Sequence, residues 1–512
     1  MIKKILEISF NKDGEHSPLY RQLESEIIQL ICRGILKPGQ ALPSSRELAQ
    51  ALQLNRKTVV ATYEELGAQG WVEARNRSGV YVSRHLPDTS ARVTDQSGKK
   101  MMRSRQPGFP LIIKQPSAFN GATGIDPNIE NDNPGSAAFL YKIDDGFPDP
   151  RIAPIEQLVR EYRRFGKNRF TSRLLMYGPE QGSYRLRAEL AKFLNRTRGM
   201  QVTEKEILIT KGTAMGIYLT AQLLIRPGDL VFVPEPGYLD ANQTFKLAGA
   251  RLVFIPVDKE GIDVDRIEQL CKRKVPRMIY IIPHHHRPTT VTLSAERRMR
   301  LMSLAHRYGF ALLEDDYDFD YHFTSNPLLP LASVDTGGHI IYVGSFCKSI
   351  APGIRIGFMV APEAVISEAA ALRKLIDRQG EQLLEEAIAE LLSAGDISRH
   401  IKKSHKIYQE RLENACRLLE AQMGEYLTFE RPNGGLAIWA AYRKNISAKA
   451  VALNAGRLGL EIADGSRYFF QPKHSLPNDF IRIGYCSLDE IEMAAAIDIW
   501  KKALAPFTSR KK

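Results

Sequence analysis

Between Ile207 and Pro362 short β-rich runs recur at wide spacing: ILIT (207–210), LVFVP (230–234), RLVFIPV (251–257), MIYIIP (278–283), FALLED (310–315), HIIYVGS (339–345) and GFMVAP (357–362). Helical patterns separate them. This alternation predicts an α/β sheet of mostly parallel strands with helices on both faces. From about Glu381 the pattern returns to helices plus a few strands, LAIWAAY (436–442) and FIRIGY (480–485), as in a smaller α+β lobe. No internal repeat is evident.

At 512 residues the chain is too long for one compact core, so two or three domains are expected. Its 44% apolar and 25% charged content are those of a globular protein rather than a disordered chain. A formal net charge of +13 favours a polyanionic partner, because clustered Lys and Arg release counterions from phosphates. Cys32, Cys271, Cys347, Cys416 and Cys486 are scattered without a C-x-x-C pair, which argues against a disulfide framework or zinc site and for reduced thiols, mostly buried. No apolar run reaches bilayer length, and MIKKILEISFNKDG lacks a signal-peptide core. A cytoplasmic address without a membrane partner is expected.

The first 85 residues read as a separate domain. Leu19, Leu23, Ile27, Ile28 and Ile31 recur at helical spacing, and Gly34 stops that helix. Ser44 and Glu47 have capping-box spacing, predicting a second helix to about Leu52. Asn55 caps a third helix, with Arg56, Lys57 and Thr58 in its first turn and Val59, Tyr63 and Leu66 on its buried face. Residues 71–73 and 80–82 form a hairpin around Arg75–Gly79. Three helices followed by a β-wing make a DNA reader, with the third helix entering the major groove. Arg56 and Lys57 stand where base edges would be met, since Arg can grip guanine O6 and N7 with two hydrogen bonds. Asn55 or Thr58 can hold phosphate, and Arg46 and the wing-tip Gly79 complete the grip.

From Leu86 to Asn133 hydrophobic periodicity fades. Before Gly121, Arg92, Lys99, Lys100, Arg103, Arg105 and Lys114 face only Asp88 and Asp95. The stretch is expected to be a flexible basic linker of roughly 45 residues with an r.m.s. span of about 40 Å, comparable to the ~34 Å between half-sites one DNA turn apart.

A second constellation lies in the α/β region. Pyridoxal phosphate needs an imine-forming lysine, an acid beside the ring nitrogen, a donor to the phenolic oxygen, a flat ring partner and a phosphate cradle. Lys348 follows a β-run, at the sheet edge where ligands bind in such folds. Asp315, also at a strand end, can keep the pyridine nitrogen protonated. Tyr317 faces the same side if the strand continues, and can donate to the phenolic oxygen. Arg355, Ser345 and the amides of Gly212, Thr213 and Ala214 can hold the phosphate, and Tyr238 can stack on the ring. The triplet His284–His285–His286 is expected to be structural or pocket-lining rather than metal-binding, since successive strand residues face opposite ways.

The first 85 residues resemble the winged helix of GntR-type bacterial regulators, through Pro18-Leu19-Tyr20, Gly34, Pro38-Gly39, Leu42-Pro43-Ser44-Ser45-Arg46, Thr58-Val59, Tyr63, Leu66 and Gly79. Residues 140–505 resemble fold-type I aminotransferases, and the whole chain resembles MocR-type regulators, which join the two. That resemblance implies residues 134–512 as a pyridoxal-phosphate-binding effector domain, with a large lobe over about 175–380 and a small lobe over 381–512 plus an N-terminal arm. It makes Lys348 the aldimine lysine, and Tyr177 a residue reaching the phosphate across a head-to-tail homodimer. It gives Arg482 the substrate α-carboxylate. The expected function is transcription regulation at a double-stranded DNA operator, sensing a small amine, an amino acid or the cofactor itself through Lys348. The alternative is an active aminotransferase with a DNA-binding appendage. Two departures weigh against turnover: Arg287 replaces the asparagine of the aminotransferase Asn-Pro-Thr-Gly, and Cys347 stands where Ser or Thr is usual.

Overall fold

The computed structural model describes residues 18–75, 79–86, 139–167, 171–324, 328–443, 445–470 and 479–507. The chain divides into two compact units, Met1–Ile112 and Ile113–Lys512. Apart from Leu86, the expected linker lies outside the described residues.

The head is built from α1 (Leu19–Cys32), α2 (Ser45–Leu52), α3 (Arg56–Ala68), β1 (Val72–Arg75) and β2 (Gly79–Val82). α1 turns Leu23, Ile27 and Ile31 inward, and the chain leaves it through Gly34 at φ 72°. α2 starts at a full capping box: the Glu47 amide donates to Ser44 Oγ at 3.3 Å and the Ser44 amide to the Glu47 carboxylate at 2.9 Å. Asn55 Oδ1 caps α3 by accepting from the Lys57 amide at 2.9 Å. Val59 and Leu66 are fully buried against Leu23, Leu48, Val72 and Val82. Tyr63 donates to the Pro43 carbonyl at 2.8 Å, fixing α3 to the entry of α2. β1 and β2 pair antiparallel from Val72↔Val82 to Arg75↔Gly79.

In the body, β3 (Tyr141–Lys142) belongs to an arm that precedes α4 (Ile155–Gly166) and α5 (Tyr184–Arg198). Then follow β4 (Ile207–Thr210), α6 (Thr213–Leu224), β5 (Leu230–Glu235), α7 (Leu239–Leu247), β6 (Arg251–Asp258), β7 (Gly261–Ile262), α8 (Val264–Cys271), β8 (Met278–Ile281), α9 (Ala295–Tyr308), β9 (Ala311–Asp316), β10 (Ile340–Ser345), β11 (Gly357–Val360) and α10 (Glu363–Ile376). The sheet order is β4-β11-β10-β9-β8-β5-β6-β7. The run from β10 to β6 is parallel, whereas β11 lies antiparallel between β10 and β4, and β7 antiparallel to β6. Neighbouring strand residues feed opposite cores: Ile209, Phe232, Ile281, Leu312 and Phe358 one, Leu208, Val231, Tyr280, Leu313 and Met359 the other. Burial on both faces explains why these runs are continuously apolar.

The second lobe comprises α11 (Gln382–Ser393), α12 (Asp396–Met423), β12 (Leu427–Phe429), β13 (Ala437–Tyr442), α13 (Ala448–Arg457), β14 (Leu460–Glu461), β15 (Phe480–Gly484) and α14 (Glu490–Leu504). β12, β13 and β15 form an antiparallel sheet, and β14 pairs in parallel with β3 of the arm. α11 buries Ala387, Ile388 and Leu391 in a core of the large sheet. Along α12 the smaller lobe's own core starts at Tyr408, which joins Tyr442, Ile483 and Trp500, with Ile143 of the arm and Tyr321 after β9 in the same cluster. Among the described residues no helix is long and apolar enough to cross a membrane.

Candidate functional site

The C-terminal ends of β9 and β10 meet in parallel register, with Asp315 opposite Val343. The three acids closing β9 part company because successive side chains leave opposite faces. Glu314 accepts from the Leu331 and Ala332 amides at 2.8 and 2.9 Å, and Asp316 accepts from Tyr342 Oη at 2.7 Å. Asp315 accepts from Tyr280 Oη at 2.7 Å through Oδ2, while its buried Oδ1 has no partner among the described residues. Burial raises the Asp315 carboxyl to about 7 against the pull of Tyr280. Such a carboxyl is poised to ionise when a cation meets Oδ1.

Lys348 follows β10. Its Nζ donates to the Gly146 carbonyl at 2.5 Å and lies 3.8 Å from the Phe147 ring centroid. Burial, then the neighbouring Arg287 guanidinium, pull its amine down from 10.5 to about 8. Arg355 sits at φ 54°, a left-handed conformation unusual for a residue with a β-carbon, and its Nη2 donates to the Lys211 carbonyl at 2.7 Å. Gly212, at φ 79°, opens α6 without a side-chain cap. A β-carbon at Gly212 would lie 3.1 Å from Arg355 Nη2. The uncapped amides of Thr213 and Ala214 and this guanidinium form a cradle suited to a dianion. Ser345 borders it, accepting from the Cys347 amide at 3.0 Å and donating to the Ile356 carbonyl at 3.2 Å.

β9 ends at Asp316, so Tyr317 leaves the sheet rather than continuing the strand. Its hydroxyl still meets the site, donating to the His285 carbonyl at 2.8 Å and accepting from Arg482 Nη2 at 3.2 Å. Arg482 also donates to the Asp145 and Pro288 carbonyls at 3.2 and 3.0 Å. Arg287 pairs with the Asp145 carboxylate and lies 4.9 Å over the Tyr238 ring, the ring expected to stack on a cofactor. Asp145, Gly146 and Tyr280 were missed from sequence, and the Gly-Phe-Pro-Asp-Pro turn at 146–150 is the one local signal that marked the arm.

The histidines lie beyond β8, in a loop, so strand alternation does not govern them. Each has its own partner: His284 the Leu328 carbonyl, His285 Asp318 and His322, His286 Thr289. Among the described residues no group of three or more His, Cys, Asp or Glu side chains is arranged to hold a metal. Tyr177 is 76% exposed, beneath the Arg378 guanidinium at 4.7 Å, and does not join this pocket within the chain.

In the head, Arg46, Asn55, Arg56 and Lys57 are exposed and Thr58 is half-buried. Asn55 Oδ1 is committed to capping, so its amide nitrogen is the atom left for a phosphate. Arg56 Nε donates to Ser45 Oγ at 3.4 Å across α2 and α3. Gly79, at φ 107°, is exposed where the wing turns.

The orphan Asp315 Oδ1, the Gly212–Arg355 cradle and the half-buried amine of Lys348 fit pyridoxal phosphate: a pyridinium, a phosphate and an aldehyde respectively. The chain matches the family "Aminotransferase class I and II" over residues 149–499, and "Bacterial regulatory proteins, gntR family" over residues 19–82. It is 28% identical over 497 residues to a probable rhizopine catabolism regulatory protein MocR from Rhizobium meliloti, covering 96% of this chain and 95% of that one. It is 28% identical to the HTH-type transcriptional regulator TauR from Rhodobacter capsulatus, with 94% and 96% covered. Among solved structures it resembles the α-aminoadipate aminotransferase LysN from Thermus thermophilus, complexed with N-(5'-phosphopyridoxyl)-L-leucine: TM-score 0.66, 26% identity, 72% of this chain and 92% of that chain.

Proposed function

The chain belongs to the aminotransferase class I and II family and carries a gntR-family head, and from that premise we propose that it is a pyridoxal-phosphate-dependent, DNA-binding transcription regulator. The head reads an operator, and the body takes a small amine or amino acid at Lys348. The bodies pair as a homodimer, head-to-tail, in the cytoplasm. The observation that carries the body's role is the half-buried Lys348 amine, held by the Gly146 carbonyl just past the C-terminal end of β10, together with the Gly212–Arg355 cradle that suits phosphate.

When bound, pyridoxal phosphate supplies an aldehyde that condenses with primary amines and an electron-withdrawing ring. The chain's own residues prepare for it. With its amine near 8, Lys348 is far more often neutral at pH 7.5 than a solvated lysine, so its lone pair is available for attachment. Asp315 Oδ1 would accept a hydrogen bond from a protonated ring nitrogen and, so paired, stay ionised. Arg355 and the first amides of α6 would hold the phosphate, and Tyr317, whose hydroxyl proton here goes to the His285 carbonyl, would turn it to the phenolic oxygen. Arg482 offers a guanidinium to an acidic group on the incoming amine.

Regulation requires the amine to bind differently in the DNA-competent and DNA-incompetent arrangements, since equal affinity shifts nothing. The test is a gel shift on the protein's own upstream DNA, with and without pyridoxal phosphate and a panel of amines. A response to amine only when the cofactor is present supports the reading. The rival, an aminotransferase with an appended head, draws on Lys348, Asp315, Tyr317 and Arg482 lying in one pocket; sustained amino transfer to a keto acid would establish it.

A further inference from the structure

The arm that precedes α4 places one carboxylate between two pocket guanidiniums. Asp145 Oδ2 accepts from Arg287 Nη2, and Asp145 Oδ1 lies 3.3 Å from Arg482 Nε. That Oδ1 is buried and has no hydrogen-bond partner among the described residues, so the carboxylate is only half satisfied where it sits. The next residue, Gly146, caps Lys348 Nζ through its carbonyl. Two consecutive arm residues thus engage all three pocket cations: Gly146 holds Lys348, whose place on the cofactor the amine's nitrogen would take, and Asp145 holds Arg287 and Arg482, which would meet its anion.

The two arginines differ. Arg482 is 1% exposed on its side chain and directs donors to the Asp145 and Pro288 carbonyls and the Tyr317 hydroxyl. Arg287 is 30% exposed, and among the described residues its one hydrogen bond is to Asp145, leaving most of its five N–H donors for another acceptor. Asp145 is the one carboxylate within ion-pair distance of either guanidinium among the described residues, with Asp318 and Asp315 farther off, so the donors left on Arg287 favour an anionic ligand over a neutral one. The Asp145 side chain is 23% exposed, so water can take over its carboxylate when it leaves.

We infer that Asp145 is a built-in competitor for the effector's acidic group: the pocket takes an amine bearing a carboxylate or sulfonate, whose anion replaces the Asp145 carboxylate between Arg287 and Arg482. This rests on the reading of the body as a cofactor-holding amine sensor. It adds Arg287, the residue standing at the aminotransferase asparagine position, as a specificity determinant. Displacement frees the arm at Asp145 and Gly146 together. On either side the arm stays anchored, by the Tyr141↔Leu460 and Lys142↔Glu461 pairing, by Ile143 buried in the smaller lobe's core and by the Gly484 amide donating to the Asp144 carbonyl at 2.7 Å, so the release is confined to the turn at Asp145 and Gly146. In the sequence, the residues before this arm are those that join body to head.

The test uses the full chain loaded with pyridoxal phosphate and reads the change in cofactor absorption on titration with L-alanine and β-alanine, each against its primary amide. In Asp145→Asn the acids should bind about tenfold tighter and the amides unchanged; in Arg287→Gln the acids should bind about tenfold more weakly and the amides unchanged. Each variant is scored by its acid-to-amide ratio, so general damage to the pocket cancels. A coloured Asp145→Asn protein whose ratio is unmoved or lower overturns the competition alone. A wild-type protein that never acquires the cofactor's colour overturns the sensor reading and the competition with it.

Discussion

The head and the pocket both gather cations, and they treat them in opposite ways. Arg46, Arg56 and Lys57 stand exposed at the starts of α2 and α3, and the head's one ion pair among the described residues, Arg21–Glu24, lies on α1. In the pocket, Arg482 is buried, Arg287 and Lys348 are half-buried, and all three are answered by Asp145 and by carbonyls of the same chain. Exposed cations suit a long polyanion whose counterions are released on contact. Enclosed, internally answered cations suit a small ligand that must exchange with the protein's own groups. That contrast sets the head apart from the pocket more clearly than total charge does.

The contrast can be broken at several places. The largest effect is expected from Lys348→Ala, which should abolish the cofactor's absorption band after dialysis while leaving salt-sensitive DNA binding by the head intact. Asp315→Asn should weaken cofactor retention by one to two orders of magnitude, about 1.5–3 kcal/mol for a charge-assisted hydrogen bond, measured by equilibrium dialysis. Arg56→Ala should cost about 1–3 kcal/mol on a preferred sequence and little on random DNA, measured by competition gel shift. If it weakens both equally, Arg56 holds backbone rather than bases. Ser44→Ala should lower the stability of the head by about 1 kcal/mol through the lost cap, read in denaturant unfolding.

A pH series sharpens the pocket side. With the Lys348 amine near 8, the rate of cofactor attachment should climb as pH rises through about 8 and level off above it, because only the neutral amine attacks. Removing the repelling guanidinium in Arg287→Gln should move that midpoint upward. A midpoint near that of a solvated lysine in the wild type would mean that Lys348 is not enclosed as described.

Much of this was legible in the chain because its signals are local. The β-rich runs became strands β4 to β6 and β8 to β11, and the capping spacings at Ser44 and Asn55 became real caps. Lys348 and Asp315 were readable because each follows or ends such a run. What stayed hidden depends on closure over long distances: Gly146 meets Lys348 across 202 residues and Asp145 meets Arg482 across 337. Neither residue carries a distinctive pattern of its own. Tyr238 was read by its chemistry as a ring partner, but its face carries Arg287, a contact set by the Pro283–Leu293 loop rather than by any spacing. α11 reads as small-lobe by position, yet its apolar face belongs to the large sheet's core.

In the proposed regulator, chemistry at Lys348 governs what the head does. The most direct measurement is the affinity for the protein's own upstream DNA, by fluorescence anisotropy, for cofactor-loaded wild type and Lys348→Ala as an acidic amine is added. The amine should change DNA affinity in the wild type and have no effect in the variant. An identical response in both proteins, or none in the wild type to any amine that alters the cofactor's absorption, would contradict it.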